Sequence, residues 1–325
     1  MRARGRPAQA KKAHRPTVIG TGLIALDLVI NGDARRRPRF WAGGTCGNVL
    51  MILSWLGWKS YPVARFDEDM WSRYVFRDLL RWRVHLDYAR TTPEASTPMI
   101  IQRIGKTEAG EVFHRFWWAS PYRAVTSTVA RNLAETTDAP SVFFMDRLSR
   151  GALLLAEAYA RKGTLIVFEP SAREEPHLLR EAIGLTHILK YSDELQEFVG
   201  DLRATPLLEI KTLADQGLRY RSRIPKCRSD GWTFLPPYAV PRIKDVAGAG
   251  DWCTSGIIHK LGQQALRGVL RMGPRELHDA LNVGQVLAAW NCQFEGARGG
   301  MYSVTPSKLW RHLNSIRANE SSDPR

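Results

Sequence analysis

Short apolar runs and amphipathic stretches alternate through the middle of the chain. Val142-Phe143-Phe144 and Leu165-Ile166-Val167-Phe168 are continuous apolar runs rich in β-formers. They are too short for buried helices and predict strands enclosed on both faces. Gly151 to Arg161 lies between them with the spacing of a helix, and His187 to Leu195 begins as a further strand. Strands that alternate with helices argue a parallel sheet covered on both sides. Thr17-Val18-Ile19-Gly20 predicts another buried strand; Val49 to Trp58 has helical spacing with Gly57 as its stop, and Leu281 to Asn291 is a second apolar-faced helix. Met99 to Ile104 and Val112 to Trp118 instead alternate with period two, as strands joined by a turn at Lys106 to Gly110. The fold class is α/β.

One stretch carries chemistry. Asp245-Val246-Ala247-Gly248-Ala249-Gly250-Asp251 crowds small residues into a turn that opens a helix running to about Leu261. The first N–H groups of a helix have no carbonyl to bond, so such a turn can hold an anion. Asp251 suits a helix N-terminus and also sits where a base would stand beside an oxyanion hole. Taken alone, Gly248-Ala249-Gly250-Asp251 equally describes an Asp-capped helix with a glycine-rich lead-in.

The fourteen residues from Asp245 to Ile258 resemble the second signature of the ribokinase-like (PfkB) carbohydrate kinases, whose core reads D-T-T-G-A-G-D. Gly43-Gly44-Thr45-Cys46-Gly47-Asn48 is similar to the first signature, G-G-x-x-x-N. The resemblance implies a three-layer α/β fold with a mostly parallel central sheet and a small β-sheet lid. It implies transfer of the γ-phosphoryl group of ATP to a hydroxyl of a sugar or sugar phosphate. Asp251 would be the general base, with Gly248, Ala249 and Gly250 in the anion-holding turn. Asp27, Gly43, Gly44 and Asn48 would hold the sugar-like acceptor, although Asp27 read by itself could face solvent near a turn. Lys190, Ser192, Thr212, Gly217, Gly248 and Asn291 would line the nucleotide. Magnesium would be organised at Glu194, and a potassium ion would sit beside Asp245. The sequence departs from the family where Ser192 replaces an asparagine, Leu195 takes the place of the magnesium glutamate, and Ala214 interrupts the T-x-G-x-x-G nucleotide loop. Read by itself, Asp215-Gln216-Gly217 is a β-turn. A nucleoside kinase, or a catalytically weak kinase-derived binding or regulatory protein, are the alternatives. The expected organisation is a basic tail over 1–16, one kinase domain over 17–312 with lid segments near 34–42 and 97–119, and a C-terminal tail over 313–325. Phe116, Trp117 and Trp118 would pack a lid or a lid-to-lid homodimer.

Composition narrows the picture. With 44% apolar residues over 325 positions the chain can fill a large core. No apolar run of membrane-spanning length and no signal-like N-terminus occurs, so a soluble cytoplasmic protein is expected. Cys46, Cys227, Cys253 and Cys292 form no metal-binding or disulfide pattern. The net charge of +15 invites a nucleic-acid reading, but much of it comes from the tail cations Arg2, Arg4, Arg6, Lys11, Lys12 and Arg15. Nucleic acid is not the expected partner. Arg35, Arg36, Arg37 and Arg39, with Arg103 and Arg115, are either a solvated surface or contacts for an anionic sugar. Gly20-Thr21-Gly22 is not a dinucleotide fingerprint, because Asn31-Gly32 and an arginine run follow where a helix is required. Gly105-Lys106-Thr107 is not a Walker loop, because Ile100 stands where that loop needs glycine.

Overall fold

The apolar runs become strands. The computed structural model describes residues 15–31, 35, 37–93, 95–104, 113–117, 125–170, 175–199 and 206–321. Residues 1–14 of the basic tail, Arg36, the turn Lys106 to Gly110, Trp118 and the last four residues lie outside the described residues. In chain order the strands are β1 (Thr17–Thr21), β2 (Ala25–Asn31), β3 (Arg39–Gly43), β4 (Lys59–Pro62), β5 (Ala64–Phe66), β6 (Ala89–Thr91) and β7 (Met99–Ile104). There follow β8 (Phe113–Trp117), β9 (Val142–Met145), β10 (Leu165–Phe168), β11 (Ile188–Ser192), β12 (Leu208–Thr212), β13 (Leu218–Ser222) and β14 (Thr233–Leu235).

Eight of them form one sheet in the order β14-β13-β12-β11-β10-β9-β1-β4. The run from β4 to β12 is parallel, and β13 and β14 join it antiparallel. Every residue of β9 and β10 is buried, as strands covered on both faces must be. Alternate residues of β9 serve opposite cores. Val142 and Phe144 point into the layer built by the helices Thr45–Trp55, Ala249–Leu261 and Pro274–Asn291, whose largest members are Trp252 and Trp290. Phe143 and Met145 point into the layer of Arg150–Arg161 and Pro176–Leu185, against Tyr159 and Ile183.

A separate four-stranded sheet, β3-β2-β7-β8, leaves the main sheet just after β1 and rejoins it at the helix Thr45–Trp55. Strands β2 and β7 pair in parallel, while β3 and β8 are antiparallel edges. Strands β5 and β6 form a small third sheet. The fold is thus α/β with a large, mostly parallel sheet and a small separate one, as the resemblance implies.

Several boundaries differ from the sequence reading. The helix expected at Val49 to Trp58 spans Thr45–Trp55. Its first turn lacks an apolar stripe because it carries Thr45, Gly47 and Asn48, the last of which belongs to the site described below. The helix expected from Leu281 begins at Pro274, where the Glu276 carboxylate accepts the Gly273 N–H at 2.7 Å. The helix Pro306–Ser321 runs through the position where a tail was expected to start, and Leu313 is buried in the core. Among the described residues no helix is long and apolar enough to cross a membrane.

Candidate active site

Strand β1 pairs with β4 on one side and β9 on the other, so the connection reverses direction at β1. In open parallel sheets, ligands bind outside the carboxyl ends of the strands at such a reversal. Asp146 follows β9, Glu169 follows β10, Ser192 ends β11 and Thr212 ends β12, all on that edge. The first is tied to the loop after β1, because the Leu23 N–H donates to its carboxylate at 2.9 Å.

The small-residue turn closes over this edge. Gly248 caps the helix Ala249–Leu261 in the left-handed region, φ 74°, and a Cβ there would overlap the Ala297 carbonyl, so no other residue fits. Ala249 N–H donates back to the Val246 carbonyl at 3.2 Å, which leaves the first-turn amides of Gly250 and Asp251 for an anion. Asp245 shapes the turn rather than facing a ligand. Its carboxylate accepts from the Ala247 N–H at 2.9 Å, the Gly296 N–H at 2.7 Å and the Gln102 side chain at 2.7 Å. Three donors thereby hold this side chain in place.

Asp251 is half-buried at the head of the helix, and the Asn48 amide donates to it at 2.7 Å. Burial, and next the Glu169 carboxylate, push its carboxyl up to about 8, against the Asn48 hydrogen bond and the Lys190 charge. Directly beneath Gly250, the Lys190 ammonium donates to Glu169 at 2.5 Å and the Thr254 hydroxyl donates to its other oxygen at 2.5 Å. Lys190 is 2% exposed, so it braces the floor of the turn instead of lining the nucleotide as expected. Burial alone would lower its pKa; the charge and hydrogen bond of Glu169, together with Cys253 and Asp251, outweigh that and leave it raised.

On the other flank, Asp27 comes from β2 opposite Trp41 of β3. A Cβ on Gly43 would overlap its carboxyl group, so glycine there is a condition for Asp27 to lie where it does. Gly44 has φ 77°, and a Cβ there would meet Leu23. Asp27 is 7% exposed, and burial pushes it up to about 7, with Arg298 opposing and Asp78 reinforcing. Arg298, 1% exposed, donates from Nε to Asn48 Oδ1 at 2.8 Å and from Nη2 to the Ala42 carbonyl and to Asp78 at 2.9 Å. Tyr302 also donates to Asp78, at 2.9 Å, and its ring stacks on Trp41 with centroids 4.4 Å apart. Arg298 and Asp78 carried no local signal of this pairing, since 220 residues separate them.

The expected nucleotide residues divide. Ser192 and Thr212 are register partners at the end of the sheet, both half-buried, and Gly217 (φ 98°) ends the turn that follows Thr212. Asn291 does not join them: it is fully buried, donating to the Ala297 carbonyl at 3.1 Å and accepting the Gly300 N–H at 3.2 Å, so it braces the loop behind the anion turn. Glu194 is exposed in a short 3-10 turn, while Leu195 packs on the core. No group of three or more His, Cys, Asp and Glu side chains suited to a metal occurs among the described residues. Of the arginine run, Arg39 pairs with Glu295 at 3.1 Å and lies over Trp41, and Arg35 and Arg37 are exposed.

The edge of a doubly covered parallel sheet thus brings together the Asp251 carboxylate, the Gly248 turn with its open first-turn amides, and the buried polar cluster of Asp27, Asn48 and Arg298. The sequence matches the pfkB family carbohydrate kinases over residues 18–303, and the chain belongs to that family. It is therefore a kinase with an alcohol group as acceptor. The fold is shared with a fructokinase from Xylella fastidiosa solved with ATP, at TM-score 0.74 and 16% identity over 94% of this chain and 99% of that one. An aminoimidazole riboside kinase from Salmonella enterica (0.69, 16%, 91% and 99%) and a nucleoside kinase from Burkholderia thailandensis solved with inosine (0.67, 17%, 92% and 97%) are similar too. No curated protein sequence gives a significant match.

Proposed function

We propose that the chain transfers the γ-phosphoryl group of ATP to a hydroxyl of a sugar or sugar-like acceptor, with Asp251 as general base. The observation that carries this reading is the Asp251 carboxylate held by Asn48 at the mouth of the Gly248 turn. The acceptor lies between Asp27 and Asn48, its reacting hydroxyl toward Asp251. The first-turn amides of the helix hold the transferring phosphoryl group, and Ser192, Thr212 and Gly217 line the nucleotide. In-line transfer needs little from the protein beyond this positioning and charge stabilisation. Magnesium enters with the nucleotide, since it is usually held through substrate phosphates and few carboxylates. It supplies charge screening on the phosphates.

A screen of sugars, sugar phosphates and nucleosides with ATP and magnesium tests the class of acceptor. On the acceptor found, Asp251→Asn should lower kcat by about 10²–10⁴-fold, the usual worth of a positioned base. Nucleotide binding should stay within a few-fold, because the substitution leaves the turn's amides in place. A variant with wild-type kcat removes Asp251 from the mechanism.

A further inference from the structure

Two buried polar atoms in the acceptor flank have no hydrogen-bond partner: Asp27 Oδ1 and Arg298 Nη1. Both residues are more than nine-tenths buried, and each feels the other's charge, yet no ion pair closes between them among the described residues. Native proteins rarely bury unsatisfied polar groups, and two that face each other's charge in one flank call for a group that completes both. The other donors of Arg298 are fixed on Asn48, Ala42 and Asp78, so the guanidinium cannot swing to satisfy Nη1 without breaking them.

Resting on the kinase reading above, we infer that Arg298 is a specificity-determining residue. It and Asp27 jointly hold one non-reacting hydroxyl of an uncharged polyol acceptor, which donates to Asp27 Oδ1 and accepts from Arg298 Nη1. A hydroxyl is the group that fits, because it donates and accepts through one atom. A phosphate or carboxylate does not. Arg298 already faces Asp78 and Asp27, two carboxylates for one guanidinium, and a further anion would be buried against them without a countercharge. Arg39 offers such an anion little, since its guanidinium is engaged by Glu295. Arg298 also sets Asn48: by donating to its Oδ1 it turns the amide so that Nδ2 faces Asp251.

The test compares binding of D-ribose, D-fructose and inosine, each beside its single-deoxy analogues, by calorimetry. The proteins are the full-length wild type and Arg298→Lys. The pair Arg298→Met with Asp78→Asn serves as a second variant that removes both buried charges together, in case a lone substitution does not fold. For the probe that binds best, loss of one hydroxyl should weaken wild-type binding by about 10–10²-fold, as for a hydrogen bond to a charged group. In the variants the penalty for that same hydroxyl should shrink to less than about 3-fold, a change that a merely structural Arg298 would not produce. Variants that keep the full penalty overturn the assignment. So does failure of all three probes to bind the wild type, or tighter wild-type binding of ribose 5-phosphate or fructose 6-phosphate than of the sugars. Turnover with ATP is followed separately. Arg298-dependent binding without phosphorylation sinks the kinase reading alone, and phosphorylation with Arg298-independent discrimination sinks this inference alone.

Discussion

Asp27 and Asp251 hold their protons unusually tightly, at about 7 and about 8 against an ordinary 3.8, in both cases chiefly because burial disfavours the charge. Between about pH 4 and pH 8 the folded chain therefore binds more protons than the unfolded one, and stability falls as pH rises. The stabilising share is complete below about pH 4 and lost as pH climbs through the two folded values. Asp27→Asn cannot ionise, so the melting temperature of the unliganded variant should fall less between pH 6 and 8.5 than that of the wild type. Parallel melting curves over that range would show that Asp27 is not held protonated. The same proton matters for turnover. A base must be deprotonated to accept the acceptor's proton, so kcat/KM should rise with pH through about 8. A flat profile from pH 6.5 to 9 contradicts Asp251 as the titrating base.

At the scale of elements, what the sequence made legible was whatever is repeated locally. β9 and β10 announce themselves as unbroken apolar runs because a parallel sheet buries both faces. The Gly248 turn is legible because its small residues are consecutive. The opening of Thr45–Trp55 as a helix is not, because Asn48 there meets Asp251 and Arg298 and its neighbours make no stripe. Asp78 looks like one polar residue on the amphipathic helix Met70–Arg81, yet it is buried because Arg298 and Tyr302 arrive from the far end of the chain. The expectations at Lys190 and Asn291 misplaced the side chains for a related reason. Position in a motif fixes where the backbone goes, while the partners Glu169 and Ala297 decide which way the side chain points. Gly43 belongs to the legible part and makes a further prediction. Gly43→Ala would drive a methyl into the Asp27 carboxyl, so the acceptor KM should rise by on the order of 10-fold, the loss of about one charged hydrogen bond, with the KM for ATP unchanged. Equal effects on both substrates would mean that the whole site had shifted.

Across the whole molecule, the two sheets must act together, since the small sheet brings Asp27 and the main sheet's edge brings the anion turn. Contacts from β3 and β7 join them. Trp41 of β3 stacks on Tyr302, and Gln102 of β7 donates to Asp245, which in turn orders Ala247 and Gly296. Gln102 is 2% exposed and Asp245 1%, so this hydrogen bond is shielded from water and reaches from one sheet into the turn of the other. Losing a buried donor to a carboxylate costs about 1–3 kcal/mol, and here the strain falls on the turn proposed to hold the phosphoryl group. Gln102→Leu preserves bulk without the donor. It should leave the overall fold intact by circular dichroism and reduce kcat by about 10–10²-fold, the kinetic equivalent of that energy if most of it is felt in the transition state. The KM for the acceptor should move much less, because Asp27 comes from the small sheet and Asn48 and Arg298 bond Asp251, Ala42 and Asp78 rather than Asp245. If kcat survives and only the acceptor KM rises, Gln102 merely stiffens the small sheet, and the link between the two sheets runs through the contacts of β3 instead.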